Sequence, residues 1–237
     1  MDLIRDCYNK RKPLGQALHR KAMDMFRLYL IIGGMPQVVE TFVKTSDFDA
    51  AELVKRQILD LNRDDIRKHA QGYGMKVEAI FDELPSQLKN QSRHFKLFSL
   101  KEGARFDEYK EALFWISDAM IVNNCYKATE PTLGLGLNLG RTILKCYMGD
   151  TCLLVSQVFC ENGKVSSEIY KKLLFDKLEV NMGMIVENMV SQMLVDGVIN
   201  SSSTPTLPGK TEHPVWRLAS CLGERASGTG TTYRRLK

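Results

Sequence analysis

Apolar residues recur at three- and four-residue steps along the first half of the chain, the spacing that sets one stripe of a helix against a core. Between Lys10 and Ile32 the stripe is Leu14, Leu18, Met25, Leu28, Tyr29 and Ile32, with Pro13 suited to an early helical position. This predicts one helix that ends at Gly33-Gly34-Met35-Pro36, because glycine adopts angles other residues resist and proline removes an N–H donor. After Pro36, the residues Val38, Val39, Phe42 and Val43 predict a second, short helix. Asp47 or Asp49 suits the cap of a third, in which Ala51, Val54, Ile58 and Leu61 repeat until the polar run NRDDIRKHAQGYG. Residues 1–75 therefore read as a small helical bundle.

Val77, Ile80, Phe81, Leu84 and Leu88 predict another helix, which Pro85 is expected to disturb or divide. The cleanest period follows, with Phe106, Tyr109, Leu113, Ile116 and Met120 stepping three, four, three, four. NCYKATEP and RTILKCYMGDTCLLVSQVF then offer runs compatible with strands, joined across TLGLGLNLG. Helices followed by a two-strand ribbon fit a winged helix-turn-helix over residues 76–162. Helical periodicity returns between Ser166 and Val195 around a break at Asn181 to Gly183. Residues 197–237 are rich in Ser, Thr, Gly and Pro without a sustained period, the composition of a disordered tail.

Composition adds bounds. At 237 residues, 44% hydrophobic and 26% charged, the chain can bury one large core or two small ones. Its formal charge of +5 permits contact with phosphate without requiring it. No apolar run approaches the ~20 residues of a membrane span, and MDLIRDCYNKRK lacks the apolar centre of a signal peptide, so a cytoplasmic location without membrane contact is expected. Cys7, Cys125, Cys146, Cys152, Cys160 and Cys221 are scattered, with no short ligand spacing of the kind a zinc site uses. His19, His69, His94 and His213 sit among charged residues and read as surface positions.

Catalytic motifs are hard to find. A phosphate-cradling loop needs G-x-x-x-x-G-K-[ST], whereas the segment ending Gly140-Arg141-Thr142 has no glycine five positions earlier and arginine in place of lysine. Asp64-Asp65 and Asp82-Glu83 fall in charged helical segments, where a solvated face is the ordinary role. The chain is not expected to be catalytic alone, and no metal or cofactor is expected in it.

PLGQALHRKAMDMFRLYLIIGGMPQVV, NRDDIRKHA, ARFDEYKEALFWISDAMIVNNCY, LKCYMGDTCLL and EIYKKLLFDKLEVNMGMIVENMVSQML together resemble one family over about residues 1–195. It is the set of prokaryotic AAA-superfamily ATPases that carry a C-terminal domain of unknown function behind their nucleotide-binding core. The resemblance implies a mostly α C-terminal fragment: helical lid over 1–75, winged helix over 76–162, and the truncated start of a PD-(D/E)XK nuclease-like domain over 163–196. It also implies a missing ATPase core upstream of Met1, which in the intact parent would hold ATP and Mg²⁺. In related signal-transduction ATPases a G-x-P element packs near adenine and reports the bound nucleotide. Gly33, Gly34 and Pro36 would take that part here.

Glu187 matches the acid on the first helix of the nuclease-like fold, yet no hairpin supplying its partners is recognisable after it. It reads as a remnant acid, a surface or helix-end residue. A frameshift near Asp196 is expected to account for the unfamiliar residues 197–237. The alternative reading is a free-standing winged-helix protein that contacts DNA through Lys89, Arg93, Lys96, Lys101 and Arg105. A restriction-type nuclease ranks behind both.

Overall fold

Helix caps and breakers set the first elements. The structure, a computed structural model, describes residues 2–90, 92, 94–128, 139–159, 167–174 and 182–202, and within these the chain is mostly helical with one small antiparallel sheet. Helix α1 spans Asp2–Asn9 and α2 spans Gln16–Ile32. The helix expected from Lys10 therefore begins only at Gln16, and α1 is a separate helix before it. Pro13 lies in the link, where it disfavours helical angles at Lys12, and Arg11 turns to a φ of 51°. Helix α3 (Pro36–Thr45) carries its proline in the first turn, where the missing N–H costs nothing. Asp47 caps α4 (Phe48–His69) by accepting the Asp49 N–H at 2.9 Å.

α4 continues into the polar segment that was expected to end it, as far as His69. Ile66 is fully buried there, and Arg63 and Arg67 reach Asp82 and Glu78 on α5 (Gly74–Lys89). Pro85 lies inside α5 without dividing it. A proline cannot bond the carbonyl four residues earlier, so the Phe81 C=O loses its helical partner. Gln157 supplies a replacement, its Nε2 donating to that oxygen at 3.0 Å.

A 3₁₀ turn (Leu97–Ser99) leads to α6 (Phe106–Asp118), which buries Tyr109, Leu113 and Ile116 as its period predicts. Met120 leaves the stripe with a φ of 57° and is exposed. Strands β1 (Val122–Ala128) and β2 (Leu139–Met148) pair antiparallel from Val122 opposite Met148 to Tyr126 opposite Leu144, with a register shift before Lys127. The loop residues 129–138, including most of TLGLGLNLG, lie outside the described residues. Gly149 closes the base of the ribbon: its N–H donates to Ile121 O at 2.9 Å, and a Cβ would stand 2.6 Å from Met120 O.

The apolar run expected to extend the second strand is instead α7 (Thr151–Phe159), buried nearly all round. Helices α8 (Ser167–Leu174) and α9 (Met182–Ser202) follow, the latter with Gly183 inside it and continuing past residue 196. Residues 203–237 lie outside the described residues. One buried cluster joins Leu30 and Ile31 of α2, Ile66 of α4, Phe81 of α5, Ile116 of α6, Leu154 of α7 and Ile185 of α9. Burying a side chain the size of Phe81 contributes about 1.5–3 kcal/mol. Among the described residues no helix is long and apolar enough to cross a membrane.

Candidate functional site

The corner between α2 and α3 is built from Gly33, Gly34, Met35 and Pro36. Gly33 ends α2 with φ 75° and ψ −162°, angles that glycine alone adopts readily, and its N–H donates to Tyr29 O at 2.7 Å. A Cβ there would stand 2.4 Å from Cys152 Sγ and 2.7 Å from Asp150 Oδ1. Gly33 is therefore consumed by packing. Gly34 and Pro36 remain exposed. Val39 and Val43 share the face of α3 that begins at Pro36, and they are 37% and 74% exposed.

Asp150, just before α7, holds this corner. Its Oδ1 accepts the Cys152 N–H at 2.8 Å, and its Oδ2 accepts the Gly34 N–H at 3.3 Å and Gln192 Nε2 at 3.4 Å. Gln192 Oε1 in turn accepts the Thr151 N–H and hydroxyl, both at 3.0 Å. Asn188 brackets Met148, accepting its N–H at 2.7 Å and donating to its C=O at 3.1 Å. Burial and the neighbouring Asp150 carboxylate push the Cys152 thiol well above its ordinary range, so it stays neutral. Asp150, Asn188 and Gln192 were not among the expected site residues. The one local signal was an acid placed to cap the apolar run that follows it.

A second polar knot lies beneath the end of α2. Lys55 is fully buried, and its Nζ donates to Ile31 O at 3.1 Å and Tyr170 Oη at 2.7 Å while pairing with Glu52 Oε2 at 2.9 Å. Ser156 Oγ donates to the same carboxylate oxygen at 2.9 Å, and Tyr170 Oη donates to it as well. Burial and Glu52 together push the Tyr170 hydroxyl far up, which keeps it a donor. The clue in the sequence was a lysine in helical register with Ala51 and Leu59 on a buried stripe.

The residues expected to contact DNA are exposed: Lys89, Lys96, Lys101 and Arg105 all face solvent, and Arg93 lies outside the described residues. Lys89 ends α5 and Lys96, Lys101 and Arg105 stand on the link that follows, while the outer surface of α6 exposes Asp107, Glu108, Glu111 and Asp118 against Lys110.

Glu187, expected at the surface or at a helix end, is instead half-buried within α9. Its Oε1 accepts from Lys145 Nζ at 2.6 Å and from Tyr147 Oη at 2.8 Å. These partners come from β2, before it in the chain rather than after. The expected acid pairs behave as a solvated face, Asp64 near Arg67 and Asp82 against Arg63. His19, His69 and His94 are exposed, and His213 lies outside the described residues. No group of three or more metal-ligating side chains forms among the described residues.

A family model described as a domain of unknown function, DUF8612, matches residues 23–162, more than half of the chain and inclusive of the corner, α4 to α6 and the ribbon. No curated protein and no solved structure matches it.

Proposed function

The chain belongs to the DUF8612 family, and from the geometry of its corner we propose that it is the C-terminal, nucleotide-reporting part of an AAA-superfamily ATP-binding protein. In this reading residues 1–75 are the lid, residues 76–162 a winged-helix-like module, and residues 163–196 the start of a nuclease-like domain. The observation that carries it is the division of labour in Gly33 to Pro36. Gly33 is locked against Cys152 and Asp150, which fixes the corner, while Pro36 stands in solvent at the head of the apolar stripe Pro36, Val39 and Val43. A rigid, exposed proline ring offers an apolar face to a purine, and the exposed stripe offers a surface for the core that would hold ATP and Mg²⁺. The lid contributes no phosphate ligands and hydrolyses nothing by itself.

Two measurements test this. The coding sequence upstream of Met1 is expected to encode a strand, P-loop and helix in frame, and the longer chain is expected to bind ATP with an affinity that Pro36→Ala weakens about fivefold, the order of one lost contact. Calorimetry on residues 1–237 alone is expected to show little or no ATP binding. Micromolar binding by this chain alone, or an upstream region without a P-loop, would overturn the reading.

A further inference from the structure

The link between α5 and α6 presents an exposed aromatic ring on a fastened turn. Gln87, on the last part of α5 and 6% exposed, accepts the Lys96 N–H on Oε1 at 3.1 Å. Its Nε2 donates to Lys96 O at 3.3 Å and to Ser99 Oγ at 2.6 Å, and Ser99 Oγ donates to Lys96 O at 2.8 Å. Leu97 and Leu100 pack against the core on either side. Between these anchors Phe98 is 69% exposed, forgoing the burial that an aromatic ring normally gains. Lys89, Lys96, Lys101 and Arg105 surround it in sequence, all exposed and without an acidic partner among the described residues.

An aromatic ring presented on a fastened turn, in a segment that carries four exposed cations, matches a partner that has both flat apolar faces and regularly spaced anions. We propose that this turn binds single-stranded nucleic acid, with a base stacked on Phe98 and the flanking phosphates neutralised by Lys89, Lys96, Lys101 and Arg105. A duplex fits less well. Its base faces are hidden in the stack, and α6, the helix ahead of the ribbon that would enter a major groove, is acidic on its outer surface. An acidic peptide would satisfy the cations and leave the ring in water. The inference does not depend on nucleotide sensing at Pro36, because no residue is shared between the two sites.

Fluorescence anisotropy of the full chain with a labelled oligothymidylate of about 20 nucleotides tests it, titrated between about 50 and 200 mM salt. Four phosphate contacts predict that log K falls with log salt at a slope of about −3, and Lys96→Gln or Lys101→Gln should each make it shallower by about 0.7. Phe98→Ala should weaken binding about 5- to 100-fold at an unchanged slope, and Phe98→Trp should retain it. Circular dichroism confirms that the variants fold, as expected for so exposed a side chain. The proposal is overturned by absent binding at 50 mM salt, by wild-type affinity in Phe98→Ala, by a duplex bound at least as tightly, or by polyglutamate displacing the oligonucleotide at equal charge.

Discussion

At the scale of single residues, Gly33 is held to glycine twice over. Two independent penalties meet there, the positive φ and the 2.4 Å approach of a Cβ to Cys152 Sγ. Each is worth roughly 1–3 kcal/mol, so Gly33→Ala should lower unfolding stability by about 2–6 kcal/mol in urea titration. A loss under about 1 kcal/mol would show that the corner is not held against α7. The glycines and Pro36 announced a turn in the sequence, and that much was legible because their backbone chemistry is intrinsic to them. Asp150, which holds the turn, was not legible. It is one of 28 acidic residues, and nothing in its immediate neighbours says that Gly34 will be its partner.

At the scale of elements, α5 and α7 depend on one another. Pro85 strands the Phe81 carbonyl and Gln157 satisfies it, so the two positions should be coupled. Gln157→Leu is expected to cost about 1–3 kcal/mol in the parent chain, the penalty of an unpaired buried carbonyl. With Pro85→Ala also present the cost should shrink, because the substitution restores a backbone N–H that can donate to the Phe81 oxygen. A double-mutant cycle with no interaction energy would contradict this account. The same pair explains why the sequence pointed to a broken helix at Pro85, since a local rule counts the lost bond and cannot see its replacement. α7 was misread as strand for a related reason. From Cys152 to Phe159 the helix is buried on nearly every side, and such a run has no period to distinguish helix from strand. By contrast α3 and α6 were readable, because half of each surface meets water and the alternation shows.

At the scale of the whole molecule, Lys55 and Glu52 fasten the end of α2, α4, α7 and α8 to one another, and α8 lies beyond the part matched by the family model. Removing one member leaves a buried charge without compensation. Lys55→Met should therefore lower stability by about 3–5 kcal/mol, whereas Lys55→Met with Glu52→Leu should recover a large share of it. Thermal and chemical unfolding of these variants checks the order, and a double variant less stable than the single one would count against a desolvated pair. Tyr170 sits 115 residues from Lys55 along the chain, and only the packing of α8 on α4 makes them neighbours.

Read alone, the order of amino acids sets the helices around α2 to α6, the ribbon after α6, a cap at Asp47 or Asp49 and the turn at Gly33 to Pro36. Each of these is announced by angles and periods that reach no further than about four residues, although the ribbon's own pairing joins Val122 to Met148. Packing decided the rest. It turned an apolar run into a buried helix, carried α4 through a polar segment, repaired the carbonyl at Phe81, sank Lys55 and drew Glu187 onto Lys145. The physical reason is that a buried polar group takes whichever partner the fold brings within about 3 Å, and that partner stands on an element whose position no local pattern encodes.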